Sequence, residues 1–234
     1  MKIIDARYTE RPTEGSRKLS YYLKGLGYNV GRYKVNTLMK AMGLEPIYPK
    51  PDTSAKAREA NEVYPYLIDE MKVTAPNQVW CADVTYIRTK VGHVYLVAIM
   101  DWYSRYVISW EIGTSLEADF CVAALSAALK NGRCEVFNTD QGAQFTSKAW
   151  INLLKANHIT ISIDGRGRYL DNIFVERLWR TVKYECIYLQ EFCSVKEVKD
   201  ALTKYFDYYN HERVHQALGY KTLYQVYLNN SKQQ

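Results

Sequence analysis

The chain lacks the features that typify membrane proteins and disulfide-stabilised domains. Across its 234 residues, no apolar run reaches the roughly 18 residues that a membrane-spanning helix needs, and the N-terminus has no apolar stretch followed by a secretory cleavage site. The five cysteines include no Cys-x-x-Cys pair, which argues against a disulfide framework and for a reducing compartment. With 47% hydrophobic and 24% charged residues, the composition predicts a globular protein with no membrane partner.

An acidic surplus is also absent, and the basic surplus is confined to one end of the chain. The net charge is +6. Residues 1–60 contain twelve basic and six acidic side chains, whereas the remainder of the chain contains nineteen of each. This asymmetry suggests an N-terminal contact with a polyanion, although a solvated basic face explains the charge alone equally well.

Residues 1–45 are predicted to form a small helix-turn-helix-like segment. Helices are expected at Arg17–Leu26 and Arg32–Met42, because apolar residues recur on one side of each and glycines separate them. The second helix is basic, and its Arg32 and Lys34 are candidate DNA contacts. A helical hairpin of any other function gives a similar pattern.

After a proline-rich linker at residues 46–76, the pattern changes to strands, and residues 77–234 are expected to form the main domain. Strands are predicted at Val79–Arg88, His93–Trp102, Arg105–Ile112, Cys134–Thr139 and Thr160–Ile163. Helices are predicted at about 115–131, 147–157, 171–188 and 194–211, with a small one after Thr222. This element order predicts an α/β fold with a ribonuclease H-like mixed five-stranded sheet and flanking helices.

Three acids stand where this fold would bring them together. Asp83 lies in the first strand, Asp140 ends the fourth strand beside it, and Glu176 lies on the helix that packs against both. Carboxylates about 4 Å apart repel by some 4 kcal/mol per pair at an effective dielectric near 20, and divalent cations remove that repulsion. Hard oxygen ligands select Mg²⁺ or Mn²⁺, and two such ions can drive in-line displacement at a phosphodiester. We predict that Asp83, Asp140 and Glu176 are the catalytic and metal-binding residues, with two ions.

Each of these acids has a plainer alternative, as a surface charge or as a helix cap. Three further acids remain candidate ligands: Asp101, Asp164 and Asp171. Asp101 ends an apolar strand where a turn-forming acid is expected, and Asp171 resembles a helix N-cap.

Basic residues on the helix of Glu176 are candidate DNA contacts. Arg180 and Lys183 follow Glu176 at i+4 and i+7 and share its face, which would direct both cations at DNA phosphates. An internal ion pair between Glu176 and Arg180 is the alternative. The residues just before this helix add four more candidate DNA contacts: Arg166, Arg168, Tyr169 and Asn172.

The motifs around the three acids resemble those of a transposase family. They are Gln-Val-Trp at 78–80 with Asp-Val-Thr-Tyr-Ile at 83–87, Thr-Asp-Gln-Gly at 139–142, Glu176 followed by Lys183, and the C-terminal His-Gln-Ala-Leu-Gly-Tyr at 215–220. The chain resembles transposases of the insertion-sequence-three family, which carry the DDE-type catalytic core of the retroviral-integrase superfamily. The resemblance covers nearly the whole chain, the helix-turn-helix-like segment included.

The resemblance implies a Mg²⁺-dependent enzyme that nicks the ends of an insertion sequence and joins the 3′-hydroxyls to target DNA. It implies double-stranded DNA as the partner, a homo-multimer that synapses two ends, and an upstream-frame product as a further partner or fusion. It places the protein in the bacterial cytoplasm, at the nucleoid. Two alternatives stay open: a catalytically idle DNA-binding partner or regulator of a full-length fusion transposase, and a ribonuclease H-like nuclease acting on RNA–DNA hybrids.

Overall fold

A five-stranded mixed sheet organises the C-terminal part of the protein. The computed structural model describes residues 1–47, 64–69, 71–90, 92–164 and 173–231. The strands are β1 (Val79–Thr89), β2 (Gly92–Asp101), β3 (Val107–Gly113), β4 (Val136–Thr139) and β5 (Thr160–Ile163). They lie in the order β3-β2-β1-β4-β5, antiparallel among the first three and parallel from β1 through β4 to β5. The predicted ribonuclease H-like fold class is confirmed.

The N-terminal segment contains one helix more than the sequence suggested. Its helices are α1 (Lys2–Glu10), α2 (Ser16–Gly25) and α3 (Arg32–Ala41). The core that they share is formed by Ile4, Leu19, Leu23, Val35 and Met39. Helix α1 escaped prediction because Ile4 is its only buried residue, so it shows almost no apolar periodicity. The expected helix-turn-helix-like character of α2 and α3 is confirmed.

Helices cover both faces of the sheet. Those that follow β3 are α4 (Asp119–Asn131), α5 (Lys148–Ala156), α6 (Ile173–Glu185), α7 (Val195–His211) and α8 (Leu223–Ser231). Side chains alternate along β1, so Trp80 packs with α4 and α5 on one face and Cys81 packs with α6 and α7 on the other. Because both faces are covered, β2 reads as a continuous apolar run rather than an alternating one. No helix in the described ranges is long and apolar enough to cross a membrane.

Helix boundaries follow local capping more closely than the apolar pattern. Ser147 begins α5 by accepting a hydrogen bond from the Trp150 amide at 3.3 Å, and Ser194 begins α7 in the same way. Helix α4 starts at Asp119, four residues later than expected. Helix α6 ends at Glu185, and a separate short 3-10 turn follows over Ile187–Leu189.

Buried charged groups hold the N-terminal helices against the sheet-bearing part of the chain. Glu14, which is only 3% exposed, accepts two hydrogen bonds from the Arg7 guanidinium at 2.8 and 2.9 Å. The hydroxyl of Tyr208 on α7 donates to the same carboxylate at 3.0 Å. The Arg11 guanidinium lies 3.5 Å from the Tyr208 ring centroid. A carboxylate between α1 and α2 is therefore satisfied in part by the sheet-bearing domain.

A second buried carboxylate joins α2, the end of α6 and the C-terminal segment. Glu185 accepts two hydrogen bonds from Arg213, both of 2.8 Å, and one from the Tyr205 hydroxyl at 3.0 Å. Lys18 of α2 lies 3.8 Å away. Burial alone would raise the pKa of Glu185, but the charges of Arg213 and Lys18 and these hydrogen bonds hold it at about 2. Glu185 is thus ionised at neutral pH and ties the two parts of the chain together.

Candidate active site

The strand register places Asp83 and Asp140 side by side. Strand β1 pairs with β4 in parallel, and the last paired residues are Cys81 and Asn138. Asp83 stands two residues further along β1, and Asp140 directly follows the end of β4, two residues after Asn138, so both acids lie at the same end of the paired strands. Asp83 shares the face of Cys81, which carries α6.

The electrostatics of Asp83 show that it lies in the field of the other acids. Burial and the nearby Asp140 carboxylate raise the pKa of Asp83 to about 7, and Glu176 contributes further in the same direction. Hydrogen bonds from the Trp179 indole and the Val84 amide oppose the rise. Burial also raises the pKa of Asp140 and of Glu176. Negative charge in this region is therefore incompletely compensated by the protein.

Asp140 is fixed by the glycine that follows it. The Gly142 amide donates to Asp140 Oδ1 at 2.9 Å. A Cβ atom on Gly142 would lie 2.9 Å from that same oxygen, which is closer than such an atom is normally found. The Asp-Gln-Gly sequence therefore supplies a carboxylate together with a backbone that can approach it without a side chain in the way.

Trp179 connects the helix of Glu176 to Asp83, a role that the sequence alone did not indicate. Its indole Nε1 donates to Asp83 Oδ2 at 2.8 Å. Trp179 also packs in the hydrophobic core on this face of the sheet. The sequence could have suggested this hydrogen bond, because the N–H of a buried tryptophan needs an acceptor and Asp83 was the acid expected nearby.

Glu176 lies in the first turn of α6 and is exposed. Within the parts of the chain that the structure describes, no group of three or more His, Cys, Asp or Glu side chains is arranged to hold a metal ion. Two of the three predicted ligands are thus adjacent, and the third approaches them closely enough to affect the pKa of Asp83 without completing a ligand set. The assignment of Asp83, Asp140 and Glu176 as metal ligands stays a prediction.

A further acid continues the row of carboxylates onto β5. Thr139 pairs with Ile163, so Asp164 occupies the position next to Asp140. Asp164 Oδ1 accepts a hydrogen bond from Asn138 Nδ2 at 2.7 Å. Asn138 Oδ1 is buried and has no donor among the described residues. Hard oxygen atoms therefore face this end of the sheet from all three parallel strands.

The candidate DNA contacts divide into several groups. Lys183 is half-buried, and its Nζ lies 4.9 Å from the ring centroid of Tyr86. Burial lowers the pKa of Lys183, although the negative charge of Asp83 acts to raise it. Arg180 is exposed on the same helix. Arg32 and Lys34 are exposed at the start of α3. Four candidates lie outside the described residues: Arg166, Arg168, Tyr169 and Asn172.

Asp101 has a structural role. Its Oδ1 accepts hydrogen bonds from the amide and hydroxyl of Ser104, and its Oδ2 accepts one from the Asn77 amide at 2.7 Å. It therefore shapes the turn after β2, as its position at a strand end suggested. Asp171, the other candidate ligand, lies outside the described residues.

Family models match nearly the whole chain. Two models of the integrase core domain match residues 73–168 and 157–222, and a model of an HTH-like domain matches residues 1–52. The transposase for insertion sequence element IS904 of Lactococcus lactis subsp. lactis (strain IL1403) is 30% identical over 217 residues, which cover 89% of this chain and 85% of the relative. The chain belongs to the insertion-sequence transposases with an integrase core.

Other transposases show the same extent of similarity. The transposase for IS629 of Shigella sonnei is 30% identical over 209 residues, covering 88% of this chain and 71% of the relative. The transposase InsF for IS3A of Escherichia coli (strain K12) is 29% identical over 211 residues, covering 88% and 73%. The family and the transposase function predicted from the motifs are confirmed.

Solved structures confirm the fold of this transposase independently. The HTLV-2 integrase catalytic core domain in complex with magnesium aligns with a TM-score of 0.55 at 23% identity, covering 65% of this chain and 97% of that one. The integrase in the simian T-cell lymphotropic virus intasome aligns with a TM-score of 0.56 at 18% identity, covering 92% and 74%. These likenesses concern the chain trace and do not identify the catalytic residues here.

Proposed function

We propose that this transposase nicks the ends of its insertion sequence and joins the freed 3′-hydroxyls to target DNA, with Asp83, Asp140 and Glu176 as metal-binding catalytic residues. The observation that supports the proposal is that Asp83, on β1, and Asp140, directly after β4, lie at the same end of two paired parallel strands. Burial, together with the charges of Asp140 and Glu176, raises the pKa of Asp83. A cation beside these acids would favour their ionised form.

The donor set suits Mg²⁺ or Mn²⁺. The oxygens available from these residues are carboxylates, and the buried Asn138 Oδ1 lacks a donor among the described residues, so hard cations are favoured over zinc or copper. When bound, two such ions would supply an activated oxygen nucleophile and stabilise the leaving oxygen. Asp83 and Asp140 would hold the ions from the sheet, and Glu176 would close the ligand set from α6.

The residues around the acids would position the substrate backbone. Trp179 fixes the rotamer of Asp83 through its 2.8 Å hydrogen bond, and Lys183 lies close enough for its pKa to respond to Asp83. A phosphate placed against Lys183 would therefore lie beside the acids. Nicking breaks the P–O3′ bond, with water giving its hydroxyl to phosphorus and a proton to O3′. Joining then forms a P–O bond from that O3′ while the target's own O3′ leaves as a hydroxyl.

The partners follow from the same reaction. We propose that the protein binds double-stranded DNA at the element ends and the target, and acts as a homo-multimer because two ends must be brought together. Such a reaction takes place on nucleoid DNA in the bacterial cytoplasm. An upstream-frame product that assists binding at the ends belongs to the same proposal.

Metal-dependent nicking of DNA that carries the element's terminal sequence tests the proposal. We expect activity with Mg²⁺ or Mn²⁺, none with a chelator, and a loss of at least about a hundredfold in Asp83→Asn, Asp140→Asn and Glu176→Gln, more than is typical for residues outside the ligand set. Asp200→Asn, an exposed change on α7, is the matched control. Equal activity in Glu176→Gln would remove the assignment. Terminal-DNA binding without cleavage under any metal would favour the idle DNA-binding partner instead.

A further inference from the structure

A basic cleft lies between the N-terminal helices and the C-terminal segment. It measures about 350 Å³ and is lined from α2 and α3 by Arg17, Lys24 and Arg32, and from the other domain by Gln216 and Tyr220. None of these three cations forms an ion pair with an acid among the described residues. A concave surface with several uncompensated positive charges and no acid in its lining attracts anions.

The two walls of the cleft are joined by direct contacts. Arg17 Nη1 donates to Gln216 Oε1 at 3.4 Å. The Tyr21 and Tyr220 rings stack with centroids 4.8 Å apart and an interplanar angle of 13°. Tyr220 holds this position with a φ of 61°, in the left-handed region that non-glycine residues seldom occupy. Strain of this kind persists only where the surroundings enforce it, and it is concentrated at functional sites.

The buried charge network below the cleft fixes the relation of the walls. Lys18, one residue after Arg17, contacts Glu185 at 3.8 Å, and Glu185 is held by Arg213, three residues before Gln216. The cleft is therefore organised before any ligand arrives, which lowers the entropy lost on binding.

The arrangement of the cations suits a nucleic-acid backbone. Arg17 and Lys24 are seven residues apart on α2, so they lie on one face about 10 Å apart along the helix axis. Since one strand of a duplex carries a phosphate about every 3.4 Å along the helix axis, side chains this far apart can contact different phosphates of the same strand. Tyr21 and Tyr220 cover one face of each other's ring, which disfavours insertion of a base between them. The cleft is therefore suited to contact the phosphate backbone of a nucleic acid and not its bases.

We propose that this cleft, built jointly by the N-terminal helices and the C-terminal segment, binds the phosphate backbone of duplex DNA through Arg17, Lys24 and Arg32. It would add a second, sequence-independent contact remote from the carboxylates. This inference rests on the proposed DNA substrate, but it concerns binding and requires no metal or cleavage.

The test measures binding of a labelled duplex of unrelated sequence by fluorescence anisotropy, in chelator and at several salt concentrations. We expect Arg17→Ala and Lys24→Ala each to weaken binding about tenfold at low salt and to reduce the slope of log affinity against log salt by about one. Lys204→Ala, an exposed change on α7, should leave both quantities unchanged. Wild-type affinity and slope in both cleft variants would overturn the proposal.

A charge placed on the opposite wall tests whether the cleft is shared. Gln216→Glu adds a negative charge without altering the N-terminal helices, and we expect it to weaken duplex binding as much as loss of one cation. Gln225→Glu is the matched control, because either side chain can accept the hydrogen bond from the Thr222 amide. Full binding by Gln216→Glu would exclude the C-terminal wall. Metal-dependent nicking, measured separately, shows whether the catalytic proposal stands or fails independently.

Discussion

Replacing Asp83 by asparagine should remove a loss of stability that the metal-free protein suffers as the pH rises. The pKa of Asp83 in the folded chain is about 7, against an ordinary value of 3.8. At about 1.4 kcal/mol per pKa unit, ionisation of this carboxyl costs the folded state roughly 4 kcal/mol. Because Asp83 retains some contact with solvent, screening reduces the expected effect to about 2–4 kcal/mol.

The direction of the pH dependence is fixed by the raised pKa. Below pH 3.8 the carboxyl is protonated in both states and costs nothing. As the pH rises through 3.8 and then 7, the unfolded chain ionises first, so wild-type stability falls over that interval and reaches its minimum above pH 7. Asp83→Asn does not titrate at this position, so its stability relative to wild type should increase by that amount between pH 3.5 and pH 8. Its amide also replaces one of the two oxygens that accept from Val84 and Trp179, a cost that does not depend on pH.

Urea unfolding in chelator, followed at several pH values, measures this difference, with Asp200→Asn as the control for removal of an exposed charge. Adding Mg²⁺ should stabilise wild type and Asp200→Asn, but not Asp83→Asn, by about 1.4 kcal/mol at ten times the dissociation constant. If the stability of Asp83→Asn relative to wild type were the same at pH 3.5 and pH 8, the inferred crowding of negative charge around Asp83 would be incorrect.

Two further predictions concern residues on α6. The pKa of Glu185 is held at about 2 in the folded chain, so its ionised form stabilises wild type above about pH 4.5, and this stability is lost as the pH falls towards 2. Glu185→Gln should lack this contribution. Acid unfolding of the two proteins measures the difference, and identical curves would contradict it. Trp179→Phe removes a hydrogen bond that lowers the pKa of Asp83, so NMR titration of Asp83 should give a higher pKa, and an unchanged value would contradict the role.

Much of the core fold could be predicted because its strands are long and apolar. The continuous apolar run of β2, buried on both faces, has few interpretations other than a central strand. Asp83 and Asp140 could be placed for the same reason, because Asp83 lies inside a strand and Asp140 stands at the end of one. The position of Glu176 relative to them depends on how α6 packs, which no local pattern specifies.

The contacts between distant segments were beyond the sequence. Glu14 and Tyr208 are 194 residues apart along the chain, and neither shows a local feature that predicts their hydrogen bond. The partnership of Glu185 with Lys18 and Arg213 is of the same kind, because in the sequence these three buried charged groups look like ordinary surface charges. The shared cleft depends on that assembly and could not be predicted without it.

The location of bound Mn²⁺ tests the central claim most directly. Crystals of the protein grown with MnCl₂ and a duplex end would show manganese by its anomalous scattering. We expect density in contact with the carboxylates of Asp83 and Asp140, with Glu176 drawn in as a further ligand, and no such density in Asp83→Asn. Manganese bound elsewhere, with these three side chains left without a cation, would contradict the assignment of the site.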